Sequence, residues 1–136
     1  MAGAGYSGTP LWKKLGINEK TRLLALHAPE GYTEWLDFPG ELLKSGRKGD
    51  KDLVHLFAGN SRIFEKEMIA LKPLLARNRQ LVIWVSWYKK SSAMATDLTE
   101  DIIRNWALAN DLVDVKVCAV SADWSGLKLV IPLAKR

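Results

Sequence analysis

The run Leu81-Val82-Ile83-Trp84-Val85-Ser86-Trp87 is apolar at every position except Ser86. It lacks the alternation of a strand with one wet face, so it describes a strand covered on both sides. Strands of that kind belong to parallel sheets flanked by helices. Leu23-Leu24-Ala25-Leu26, within a strand expected over Thr21 to His27, has the same character, and so does the stretch Asp52 to Ala58. Two further apolar strands, Val113 to Val120 and Leu127 to Leu133, close the chain. The linker Ser121-Ala122-Asp123-Trp124-Ser125-Gly126 between them is short, polar and glycine-ended, as a hairpin requires.

Helical signals fall between these strands. Leu11 to Leu15 is a short helix ended by Gly16. Pro29 ends the first strand and leads into a short helix, Glu30 to Leu36. Phe64, Met68 and Leu71 fall at helical spacing, so a helix is expected from Arg62 to about Lys72, capped by Ser61 and kinked or ended by Pro73. Asp97 with Glu100 resembles a capping box for a further helix, whose inward stripe is Leu98, Ile102, Ile103 and Trp106. A weak strand at Glu41 to Leu43 and the loop Lys44 to Asp50 complete the order, and Gly5 to Pro10 is an irregular arm. Strand and helix alternate, which predicts one α/β domain over residues 1–136: a three-layer sandwich on a mostly parallel sheet of about six strands, with a C-terminal antiparallel hairpin.

Composition narrows the class. With 136 residues, 48% hydrophobic and 26% charged, the chain suits one soluble domain with its own core. Neither a secretory leader nor a membrane-spanning run is legible. A single cysteine, Cys118, excludes an intrachain disulfide and points to a reducing, cytoplasmic setting. The net charge is +5, yet acidic and basic residues interleave, as in Glu65-Lys66-Glu67. Scattered charge serves solubility and argues against nucleic acid as the partner.

Leu71-Lys72-Pro73 followed by strand, helix and terminal hairpin resembles the C-terminal half of a class I methyltransferase-type Rossmann fold. Gly5-Tyr6-Ser7-Gly8-Thr9-Pro10-Leu11, Trp84-Val85-Ser86-Trp87, Thr96-Asp97-Leu98-Thr99-Glu100-Asp101, Val113 to Val120 and Trp124 to Val130 resemble an uncharacterised bacterial family, a domain of unknown function. The resemblance implies a Rossmann-like scaffold and no established reaction. Two departures speak against methyl transfer. The turn after the first strand carries Pro29 and Glu30 where a cofactor's approach needs glycines. Where an acidic residue should hold a ribose, the chain offers Lys44 and Ser45. No cofactor is expected.

Open α/β sheets bind ligands beyond the carboxyl ends of their strands. The candidate ligand-binding residues are therefore His27, Trp87, Lys89, Lys90, Ser91, Ser92 and Asp97. Lysines and hydroxyls of the Lys89-Lys90-Ser91-Ser92 loop suit an anion, although serines in exposed loops also satisfy their own backbone. His27 has the chemistry of a general base, although a histidine in an apolar strand is more commonly packed. His55, within a strand, invites the packed interpretation more strongly. Capping explains Asp97 without chemistry. Trp84 and Trp106 suit the core, while Trp12, Trp35, Trp87 and Trp124 flank loops, where they either stand partly exposed or close the sheet's upper edge; packing is favoured, with Trp87 the exception. The histidines and Cys118 lack metal-ligand spacing, so no metal site is expected.

The function these features favour is a non-catalytic module binding a small anion or a protein. The alternatives are an enzyme acting on a phosphorylated or carboxylated metabolite, and a nucleic-acid binder. A homodimer is open if the apolar last strand lies at the sheet edge and pairs with its copy.

Overall fold

The computed structural model describes residues 8–42 and 49–136. Its elements run α1 (Leu11–Leu15), β1 (Leu23–Leu26), α2 (Tyr32–Leu36), β2 (Leu53–Phe57), α3 (Ser61–Arg77), β3 (Val82–Tyr88), α4 (Glu100–Ala109), β4 (Val113–Ala119) and β5 (Trp124–Val130), with a final 3-10 turn at Leu133–Lys135. The five strands form one sheet in the order β1-β2-β3-β5-β4. β1, β2 and β3 are mutually parallel, whereas β5 runs antiparallel to both β3 and β4.

Successive residues of each strand serve opposite faces. Val54, Leu56, Ile83, Val85, Leu127 and Leu129 face α3 and α4, meeting Phe64, Met68, Leu71 and Ile103. Leu53, Phe57, Trp84 and Trp124 face the other way, meeting Leu11 and Leu15 of α1 and Tyr32 and Leu36 of α2. That double covering is why the strands read as unbroken apolar runs. Trp84 is wholly buried, and its indole N–H donates to the Leu15 carbonyl at 3.1 Å, which fixes α1 on the sheet.

Several expectations need correction. Among the described residues the sheet has five strands, not about six: Glu41 and Leu42 are not in a strand, and Leu43 lies outside the described residues together with positions 44–48 of the following loop and 1–7 of the arm. The cap of α3 is Asn60 rather than Ser61; its Oδ1 accepts from the Ile63 N–H at 2.8 Å. Pro73 does not end α3, which continues to Arg77. Pro73 is solvent-exposed, so water can serve the carbonyl that its ring deprives of a donor. The cap of α4 is Thr99, not Asp97. Ile102 is 41% exposed, so the inward stripe of α4 is Ile103 and Ala107 with Trp106 half-buried.

β5 begins at Trp124, because Gly126 belongs to the strand and not to the turn. A Cβ at Gly126 would lie 3.1 Å from Val120 and 3.3 Å from the Trp84 ring. Trp124 is buried, and so, against expectation, is Trp87. The last strand is also interior, paired on both sides. The edge on that side belongs to β4, where a bulge lies between Asp114 and Lys116. A bulge and an edge lysine both discourage pairing with a second chain.

Candidate functional site

The connections leaving β1 and β2 depart to opposite faces, since α2 packs on one side of the sheet and α3 on the other. Divergence of that kind opens a crevice beyond the strand ends. Here His27 follows the last residue of β1. The residue adopts a left-handed backbone, φ 56°, immediately after β1. Its Nε2 stands 2.5 Å from Oε2 of Glu67 on α3. The Glu67 side chain is only 7% exposed and that of His27 is 47% exposed. The turn that follows has one glycine, Gly31, at φ 90°; a Cβ there would press the Trp35 ring at 3.3 Å. That glycine serves the entry into α2.

The exit from β2 is sutured by the segment before α4. Thr96 donates its hydroxyl to the Gly59 carbonyl at 2.9 Å and accepts from the Leu98 N–H at 3.1 Å. Asp97 accepts from the Ser61 N–H at 2.8 Å. Asp97 therefore caps α3, the helix it is remote from in sequence, rather than α4.

Beyond β3 the surface is open. A cleft of about 740 Å³ lies between the loop leaving β3 and the first turn of α4. Lys89 and Lys90 supply its cations, and neither has an ion-pair partner among the described residues. Trp87, Tyr88 and Leu98 line it on the apolar side, Trp87 and Leu98 almost wholly buried, and Met94, 51% exposed, stands beside them. Glu100 and Asp101 also reach the cleft, but Arg104 binds both and Asp114 as well.

Of the sequence candidates, the cleft gathers Trp87, Lys89 and Lys90. His27, Ser91, Ser92 and Asp97 do not line it. Ser92 closes a local turn, accepting from the Met94 N–H at 3.1 Å, while Ser91 is exposed. Met94 and Leu98 were missed; their apolar character gave no reason to assign them to a loop site.

A second polar cluster lies inside the fold. Tyr32 Oη is 2.8 Å from His55 Nδ1, and His55 Nε2 is 2.7 Å from Ser86 Oγ. His55 and Ser86 are fully buried and Tyr32 nearly so. Burial pushes the Tyr32 phenol up and drives the His55 imidazole down to about 3, so the ring is neutral. The order resembles a nucleophile, base and orienting group, yet no substrate reaches a serine at 0% exposure. Cys118 is likewise unreactive, because burial raises its thiol pKa despite nearby Lys14 and Lys116.

Among the described residues no cluster of three or more His, Cys, Asp or Glu could hold a metal, and no helix is long and apolar enough to cross a membrane. No family model and no curated protein matches the chain. One solved structure is similar: a protein of the NADB-Rossmann superfamily from Streptococcus agalactiae, with TM-score 0.50 and 11% identity, over 94% of this chain and 70% of that one. The fold is accordingly Rossmann-like, α/β, on a mixed sheet whose first strands are parallel and whose last is antiparallel. At that identity the likeness carries the fold alone.

Proposed function

We propose that this chain is a non-catalytic module that binds a small anionic ligand, built on a methyltransferase-like scaffold whose cofactor crevice is closed. The carrying observation is the cleft beyond β3, which is bordered by two lysines without an ion-pair partner among the described residues. Lysine is a strong anion donor where no carboxylate neutralises it. His27, held to Glu67, stands in the turn after β1, where a methyl donor's adenosine would have to approach, and this supports the loss of the cofactor site. An enzyme acting on a phosphorylated or carboxylated metabolite is the alternative, favoured by the His27–Glu67 contact. It is the weaker reading because His27 does not line the cleft that holds Lys89 and Lys90.

A thermal-shift screen with inorganic phosphate, citrate and S-adenosylmethionine tests this. The two anions should raise the melting temperature at millimolar concentration, and the Lys89→Ala/Lys90→Ala double variant should abolish the effect. Stabilisation by S-adenosylmethionine, with none by the anions, would refute the proposal.

A further inference from the structure

We infer that the ligand of the β3–α4 cleft is an amphipathic organic anion, with a phosphate or carboxylate head and an apolar or aromatic body. This rests on the anion-binding reading and narrows it. Lys89 and Lys90 stand on the loop side of the cleft, whose apolar and aromatic lining is Trp87, Tyr88, Met94 and Leu98. Trp87 and Leu98 are anchored in the core, at 8% and 1% exposure, so only a margin of Trp87 reaches the cleft, and half-buried Tyr88 and exposed Met94 complete its apolar wall. Met94 is 51% exposed in that wall. Its flexible, polarizable thioether adapts to an apolar or aromatic shape.

A bare phosphate at the two lysines would leave Met94 and the margin of Trp87 facing water. The cleft, about 740 Å³, also falls within the range that encloses ligands of metabolite size. On the α4 side, Glu100 and Asp101 repel a second anionic group, even with Arg104 bound to them. The charge of the ligand therefore sits at one end, by Lys89 and Lys90, and its body extends over Trp87 toward Met94.

Calorimetric titration with phenyl phosphate and with inorganic phosphate, on the wild-type chain and on Met94→Gln, tests the inference. Covering one ring face should make phenyl phosphate bind about tenfold tighter than inorganic phosphate. Met94→Gln, at an exposed position, should bring that ratio toward one. Equal affinity for the two probes, or a preference that Met94→Gln leaves intact, would overturn the inference while the anion-binding reading stands. Binding of neither probe would refute the anion-binding reading itself, and the inference with it.

Discussion

Between α2 and the sheet, Tyr32 of the helix and His55 and Ser86 of the strands satisfy one another, with His55 and Ser86 at zero exposure. Beside α4, Lys89 and Lys90 stand at an opening and have no ionic partner among the described residues. Ser86 lies within β3 and precedes Lys89, just beyond the end of that strand, by three residues. The two clusters differ in desolvation. A closed chain of neutral hydrogen bonds contributes to stability and is unavailable to a ligand. An open cationic edge contributes little to stability and is free to bind.

The largest test of that contrast is acid. Burial holds the His55 pKa at about 3 in the folded chain, against 6.5 for the free group. The unfolded chain binds the extra proton between those values. The histidine's contribution is therefore intact above pH 6.5, falls as pH drops toward 3, and is constant below that. The slope is about 1.4 kcal/mol per pH unit, so roughly 2–3 kcal/mol is lost by about pH 4.5. Denaturant unfolding of wild type and His55→Gln across this range isolates the effect. Parallel pH profiles would contradict a buried neutral imidazole.

Somewhat smaller is the cost of breaking the chain at one end. Ser86→Ala leaves His55 Nε2 without its 2.7 Å partner and should cost about 1–3 kcal/mol by urea denaturation. Gly126→Ala should cost a similar amount, about 1–3 kcal/mol, because its methyl would crowd Val120 and Trp84. Thr99→Ala removes the cap of α4 and should cost about 1 kcal/mol, whereas Asp97→Ala should loosen the start of α3 instead. Amide hydrogen exchange at the two helix starts distinguishes these last variants. The smallest stability effect belongs to Lys89→Ala and Lys90→Ala, which should move the melting temperature by no more than about 3 °C while removing anion binding.

The architecture was legible because burial on both faces leaves an unmistakable mark: Leu23 to Leu26 and Leu81 to Trp87 need no partner to be recognised as inner strands. Local start signals were less dependable. Ser61 and Asp97 have good capping chemistry, but Asn60 and Thr99 occupy the required backbone positions, and Asp97 is drawn to the Ser61 N–H by tertiary contact. Gly126 carries the chemistry of a turn and sits in a strand for want of space beside Trp84. Lys89 and Lys90 could be proposed from charge and strand order. Glu67, which holds His27, could not, since the pair lies forty residues apart in sequence. The same is true of Tyr32 and Ser86 around His55, which only the folded sheet brings together.

Amide chemical-shift mapping of a phenyl phosphate titration tests the account most directly. Perturbations gathered at residues 87–101, with His55 and Ser86 unmoved, are the predicted result. Perturbations centred on residues 27–31, or spread through the Tyr32–His55–Ser86 chain, would contradict it.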